Sequence, residues 1–413
     1  MRKTQPEDVP AGKRTAWRPA EMELIEAILS HFDNTEDRGV ACEFCWLIRD
    51  RAEEAWSDGT ITRLVHYATN HSDPVNRLPN TEPPKEGRDI ASRTPHDLEN
   101  DSLNCIRGAG AHAIGVLLWR HPEWLERLTP CIDRLVSDPH PAVRIAAINA
   151  CLPVMNLNRD QAVSWFCIAS TGDLRVATSQ AGRHYFNHGI PSHIDTLAPI
   201  IRKMMSSTFD EVAKEGAMQV TARWLFNGLF EEELTACRSG TVPQRKGVAQ
   251  IASWYILNPE YSGRCEDLLL PLCNDENADV RHKAKRVFFN NEVFTLPNAP
   301  RVVAKYVKSK AFADDSFSLM LSLREFAESL TPFTELILMI CDEFTGPLRE
   351  ASKNTNTGAA GSVREIPPIL LRLYEQAQDQ NDAQVLSRCL DAWDLLFEKR
   401  VGSTRELTNE IEK

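Results

Sequence analysis

Asp138-Pro139-His140-Pro141-Ala142-Val143-Arg144 runs directly into Ile145-Ala146-Ala147-Ile148-Asn149-Ala150-Cys151, and the same grammar returns at Asn274-Asp275-Glu276-Asn277-Ala278-Asp279-Val280-Arg281. An apolar amphipathic segment precedes each copy, Leu128 to Val136 in one case and Leu268 to Cys273 in the other. Aligning the small-residue segments that follow gives further copies at Ile106-Arg107, Leu174-Arg175, Val212-Ala213 and Gln244-Arg245. Read from 106, 143, 174, 212, 244 and 280, the successive spacings are 37, 31, 38, 32 and 36 residues. A unit of about 35 residues that holds two helices, with almost no β-branched alternation, predicts an all-α chain. The expected architecture is an α-solenoid of helical hairpins, each burying its apolar face on its neighbours.

Local chemistry agrees with that reading. Asp138 and Asp275 are expected to cap the second helix of their hairpins, and Pro139 and Pro141 to stop the first. Val143 and Val280 open the apolar face of the second helix, and Ala146, Ala147 and Ala150 are small enough for close helix packing. At these residues the chain resembles the HEAT-repeat family, which carries this Asp, Val and Arg arrangement at its second helix. The resemblance implies that Asp and Arg form a ladder between adjacent repeats. Arg107, Arg144, Arg175 and Arg281 are its expected members, Ala213 breaks the series, and Arg245 lacks the preceding apolar partner.

Outward from the repeats, the chain divides into five stretches. Residues 1–19 mix Arg and Lys with Pro and Thr and show no periodic apolar face, which predicts a disordered segment or linker. Residues 20–70 carry helical patterns at 20–32, 38–55 and 59–70. Residues 71–98 hold Pro74, Pro79, Pro83, Pro84 and Pro95 and read as an inserted loop. Regular repeats are expected over 99–292. Over 293–413 the anchors fade, but helices are expected at 298–309, 314–330, 332–345, 364–378 and 382–398, with Trp393 and Phe397 as core residues of a closing helix.

The composition narrows the function. Hydrophobic residues at 42% and charged residues at 25% describe an ordinary globular chain, and a net charge of −11 makes generic attraction to nucleic acid or anionic lipid not the default expectation, with a local basic patch left open. Arg2 and Lys3 run into Thr4, Gln5, Pro6 and Glu7 without an apolar core, so no secretory signal is expected. No apolar run approaches the roughly 18 residues of a membrane span. Eleven cysteines, most of them single within helical apolar patterns, suit reduced thiols and a cytoplasmic protein.

No catalytic constellation is present in the sequence. Cys42-Glu43-Phe44-Cys45 has no second pair at zinc-finger spacing, and His184, His188 and His193 lack the His-Glu-x-x-His frame of a zinc site. There is no His-Glu dipeptide for a di-iron hydroxylase, no Gly-x-Ser-x-Gly, and no Walker A loop: Ala11-Gly12-Lys13-Arg14-Thr15 lacks the leading Gly, and Asn354 to Ser362 has the wrong Gly spacing. We therefore expect no enzyme activity, no cofactor and no metal.

A wider resemblance is carried by Asp101-Ser102-Leu103-Asn104-Cys105-Ile106-Arg107-Gly108, the Asp138 to Arg144 anchor, Ala311-Phe312-Ala313-Asp314-Asp315, and Leu370-Leu371-Arg372-Leu373-Tyr374 with the Cys389 to Phe397 tail. Over roughly residues 35 to 411 the chain looks like the C-terminal helical region of large bacterial P-loop ATP-binding proteins. That resemblance implies a protein-binding scaffold or sensor in an ATP-dependent assembly with signalling or phage-defence roles. The alternative is a nucleic-acid-binding module, glycosylase-like or regulatory, that tracks phosphates with Arg107, Arg144, Arg175, Arg245 and Arg281. The direction of those arginines discriminates between the two.

Overall fold

The computed structural model describes residues 18–32, 35–74, 90–353 and 358–401. Among them every regular element is helical, no strand occurs, and no helix is long and apolar enough to cross a membrane. The expected linker at 1–19, apart from Arg18 and the backbone of Pro19, lies outside the described residues, as do 75–89 of the expected loop, 354–357 and the chain beyond Val401. The described residues form two compact units, divided between Val212 and Ala213. Their boundary falls inside the stretch expected to be one regular array.

The first unit contains α1 (Pro19–Ser30), α2 (Arg38–Asp50), α3 (Asp58–Asn70), α4 (Pro95–Asn104), α5 (Ile106–Arg120), α6 (Leu125–Val136), α7 (Pro141–Ala150), α8 (Val154–Leu157), α9 (Arg159–Thr171) and α10 (Gln180–Met205). Sequence signals set the starts: the side chains of Asp37, Ser57 and Thr94 accept from backbone N–H groups in the first turns of α2, α3 and α4. Helix α4 thus begins at Pro95, inside the expected loop, with a Thr94–Asp97 capping box. The expected helix 38–55 ends at Asp50.

Small residues place α5 at the centre of this unit. A Cβ on Gly110 would stand 2.9 Å from the Ala68 Cα of α3, and one on Gly115 would stand 2.7 Å from the Ala150 Cα of α7. Glycine at these two positions lets three backbones approach closely. Larger side chains fill the rest: Trp165 is fully buried with its indole N–H on Asp133, 2.7 Å away, and Phe166 stacks on Tyr185 at 4.6 Å. Helix α10 is two helices joined at His193 (φ −132°, ψ 37°), with Pro191 and Pro199 on either side of the joint.

The second unit takes most of α11 (Asp210–Asn227), followed by α12 (Glu231–Ser239), α13 (Val242–Tyr255), α14 (Ser262–Leu272), α15 (Ala278–Ala284), α16 (Ala299–Val307), α17 (Lys310–Asp314), α18 (Phe317–Glu325), α19 (Thr334–Thr345), α20 (Arg349–Ser352), α21 (Gly358–Val363), α22 (Ile366–Asp379) and α23 (Ala383–Glu398). Helix α13 packs on α14 and α15. At Gly247 its backbone lies so close to α11 that a Cβ would sit 2.5 Å from the Lys214 carbonyl oxygen. Phe288 stacks on Tyr306 at 3.8 Å, and Phe294, Phe326 and Phe333 form a second aromatic cluster. The segment 314–330 is shorter than expected as a helix, because Ser309 starts a separate α17 that ends at Asp314. Phe397 is 49% exposed, so it is not the core residue its spacing predicted.

Candidate interaction surface

Three of the arginines singled out in the sequence meet aspartates 30 to 33 residues further along the chain. Arg107 grips Asp138 with two prongs, Nε to Oδ2 at 2.9 Å and Nη2 to Oδ1 at 3.1 Å, while its Nη1 donates to the His71 carbonyl at 2.8 Å. Arg245 grips Asp275 in the same way, at 2.6 and 3.2 Å. Arg281 reaches Asp314 at 2.6 Å and also donates to the carbonyls of Asp275 and Glu276. These pairs span 31, 30 and 33 residues. Arg38 and Asp73, 35 residues apart, add a more exposed pair at 3.2 Å. Arg245 is therefore a full member of the series, contrary to expectation: its aspartate partner matters, and the missing apolar neighbour does not.

Two expected members behave differently. Arg175 turns back onto Asp173, two residues earlier, and donates to the Ile90 and Arg93 carbonyls at 2.8 and 2.7 Å, which ties down the far end of the 71–98 segment. Arg144 finds no carboxylate within ion-pair distance among the described residues. It donates to the Ala169 carbonyl at 3.3 Å beside Gly172, where any Cβ would stand 2.1 Å from the guanidinium. Burial, ahead of the favourable pull of Asp173 and Asp138, lowers its pKa from the usual arginine value.

The aspartates do not cap the second helices, which corrects the expectation for both. Asp138 and Asp275 each accept from the backbone N–H two residues on, at 2.8 Å. The caps are those downstream residues: His140 Nδ1 accepts from Ala142 N, and Asn277 Oδ1 accepts from Asp279 and Val280 N. Each aspartate is occupied by its arginine and its own turn, so the capping passes to the next polar side chain. Pro141 is the first residue of α7 rather than a stop for α6. Val143 and Val280 are both 0% exposed, as their place on the packed face requires.

This geometry decides what the arginines can do. The guanidinium groups of Arg107 and Arg175 are buried, that of Arg245 nearly so, and their donors are committed to carboxylates and carbonyls. A phosphate would have to displace a bidentate carboxylate to reach them.

Each unit also holds a concavity that the sequence did not signal. In the first, a 390 Å³ pocket is lined by His96, Glu99, Asn100, His112, Asn149 and His184 among others. His112 Nδ1 lies 2.9 Å from Asn149 Nδ2, its Nε2 is buried with no hydrogen-bond partner, and burial together with nearby Arg49 pushes its pKa down to about 4. In the second, a 610 Å³ open groove has Leu270, Pro271 and Met339 on its walls. Its buried Glu266 accepts from Asn298, Arg301 and Lys305 at 2.9, 2.5 and 3.1 Å, and Lys308 is paired with Glu343. Both concavities draw residues from separate helices, a juxtaposition no single helical pattern carries.

Among the described residues no group of three or more His, Cys, Asp or Glu side chains is placed to hold a metal. His184 and His188 stack at 6.0 Å, whereas His193 lies 2.9 Å from Asp160. The cysteines are free thiols; burial pushes Cys45 up to about 12 and raises Cys42 as well. Compared with known proteins, the chain matches no family model, no curated protein and no solved structure.

Proposed function

We propose that the chain is an α-solenoid of HEAT-like helical hairpins, with a period of about 35 residues, that works as a non-catalytic protein-interaction scaffold or sensor. The observation that carries this reading is the set of Arg–Asp pairs closing across 30 to 33 residues, each tying the second helix of one hairpin to the turn of the next. Stacked helical hairpins present extended surfaces suited to gripping another protein. The larger ATP-dependent bacterial assembly, in which a P-loop partner supplies the nucleotide chemistry, is the setting suggested by the sequence resemblance. Against the arginine-strip alternative stand the internal pairs that engage Arg107, Arg175, Arg245 and Arg281.

The test is affinity capture of the tagged full chain from its native host, with and without nuclease, followed by mass spectrometry. A P-loop protein retained after nuclease treatment is the expected result. Capture of nucleic acid alone, lost on nuclease treatment, overturns the proposal.

A further inference from the structure

Four cations gather in the second unit of a chain whose net charge is −11. Lys214 on α11, Lys246 on α13 and Lys283 on α15 are separated by 32 and 37 residues, and each is the fifth or sixth residue of one of three alternate helices. Direct packing makes them neighbours: Gly247 lies against the Lys214 backbone, α13 packs on α15, and Lys246 reaches Asp279 of α15 at 3.3 Å. Arg286 follows Lys283 by one turn on the exposed side. Asp279, itself 72% exposed, is the one carboxylate within ion-pair distance of the four among the described residues.

The cations repel one another. Lys283 has its pKa lowered, first by burial and then by Lys214, Arg286 and Lys246, with Asp279 opposing. Elsewhere in the unit lysines are paired: buried Lys285 lies 2.9 Å from Asp315, and exposed Lys305 lies on Glu266. Among the described residues only Lys246 of the four has a carboxylate within ion-pair distance, so the row carries positive charge that a bound anion would offset.

We propose that the row Lys214, Lys246, Lys283 and Arg286 is the docking site for an acidic extended segment of a protein partner. The inference rests on the scaffold reading above and specifies the partner's chemistry. Packed helices lie about 8–10 Å apart. A polyproline-II segment rises about 3.1 Å per residue with three residues per turn, so acidic side chains at every third position face one way about 9 Å apart. That spacing matches one carboxylate per helix. A long polyanion would leave the row and run onto the surface of a net-acidic chain, which favours a short peptide over nucleic acid.

The test uses the full chain and two fluorescent peptides of identical composition, one with Glu at every third position in a Pro-rich background and one with the same glutamates clustered. Anisotropy titrations should show the spaced peptide binding more tightly, and more weakly as salt rises. Lys246→Glu and Lys283→Glu should each weaken it by about tenfold, with helical circular dichroism and melting unchanged. Equal affinity for the two peptides, no binding, or tighter binding of a single-stranded oligonucleotide overturns the assignment. A native partner that the Lys283→Glu chain still captures at full yield leaves the scaffold reading standing and removes the row from it.

Discussion

Replacing Asp138 with Asn removes one charge while leaving an oxygen to accept from the His140 backbone N–H. Arg107 and Asp138 are each only 9% exposed, and the guanidinium has one further donor on the His71 carbonyl. Removing the carboxylate therefore strands a buried cation, which costs about 3–5 kcal/mol. In a unit of about 200 residues, each kcal/mol moves the melting temperature by roughly 2–4 °C, so the first transition should fall by roughly 10 °C. Thermal melts followed by circular dichroism and intrinsic tryptophan fluorescence read this directly. The double variant Arg107→Met/Asp138→Asn should recover most of the loss, since it leaves neither charge uncompensated. Lys310→Met, which breaks the exposed Lys310–Glu276 pair, should leave the melt unchanged. A shift below about 1 kcal/mol for Asp138→Asn, or a double variant no better than the single, refutes the buried-ladder argument.

Three further outcomes follow from the same packing. Val143→Asp and Val280→Asp should each cost more than about 3 kcal/mol and leave little folded chain, because both sites are fully buried; unchanged helical circular dichroism and melting would contradict this. Gly110→Ala, which in an exposed helix would gain about 1 kcal/mol, should instead lose about 1–3 kcal/mol through its contact with Ala68, as measured by urea unfolding. His112 is held neutral down to about pH 4, whereas its unfolded form takes a proton near 6.5, so its contribution is complete above 6.5 and is lost as pH falls from 6.5 toward 4. That loss amounts to at most about 3 kcal/mol, and His112→Gln should flatten the stability profile over this window.

The helices were legible because their apolar faces recur every three to four residues and polar caps or prolines mark their ends, as at Ser57 and Thr94. The Arg–Asp pairing was partly legible, since the spacing of Arg107 from Asp138 and of Arg281 from Asp314 is itself about one period. The place of the caps was not, because a sequence does not say that Asp138 is already taken by an arginine 31 residues upstream. Arg175 misled for a related reason: Asp173 stands two residues before it and competes successfully with any partner in the next hairpin. Lys214, Lys246 and Lys283 were readable in principle as one position repeated in three helices. Singly, each looks like an ordinary surface lysine. The His112 pocket was not readable, since it exists only where α4, α5, α7 and α10 come together.

The direction of the ladder has a consequence for how this polypeptide is made and cut. In each of these three pairs the arginine precedes its aspartate, 107 before 138, 245 before 275 and 281 before 314. During synthesis each of these arginines emerges 30 or more residues before the carboxylate that pairs with it. Deletion series should respect the same rule: a chain ended after α14 but before Asp275 strands Arg245, whereas one ended a few residues later carries its own neutraliser. Truncations that leave these arginines paired therefore end after the aspartates.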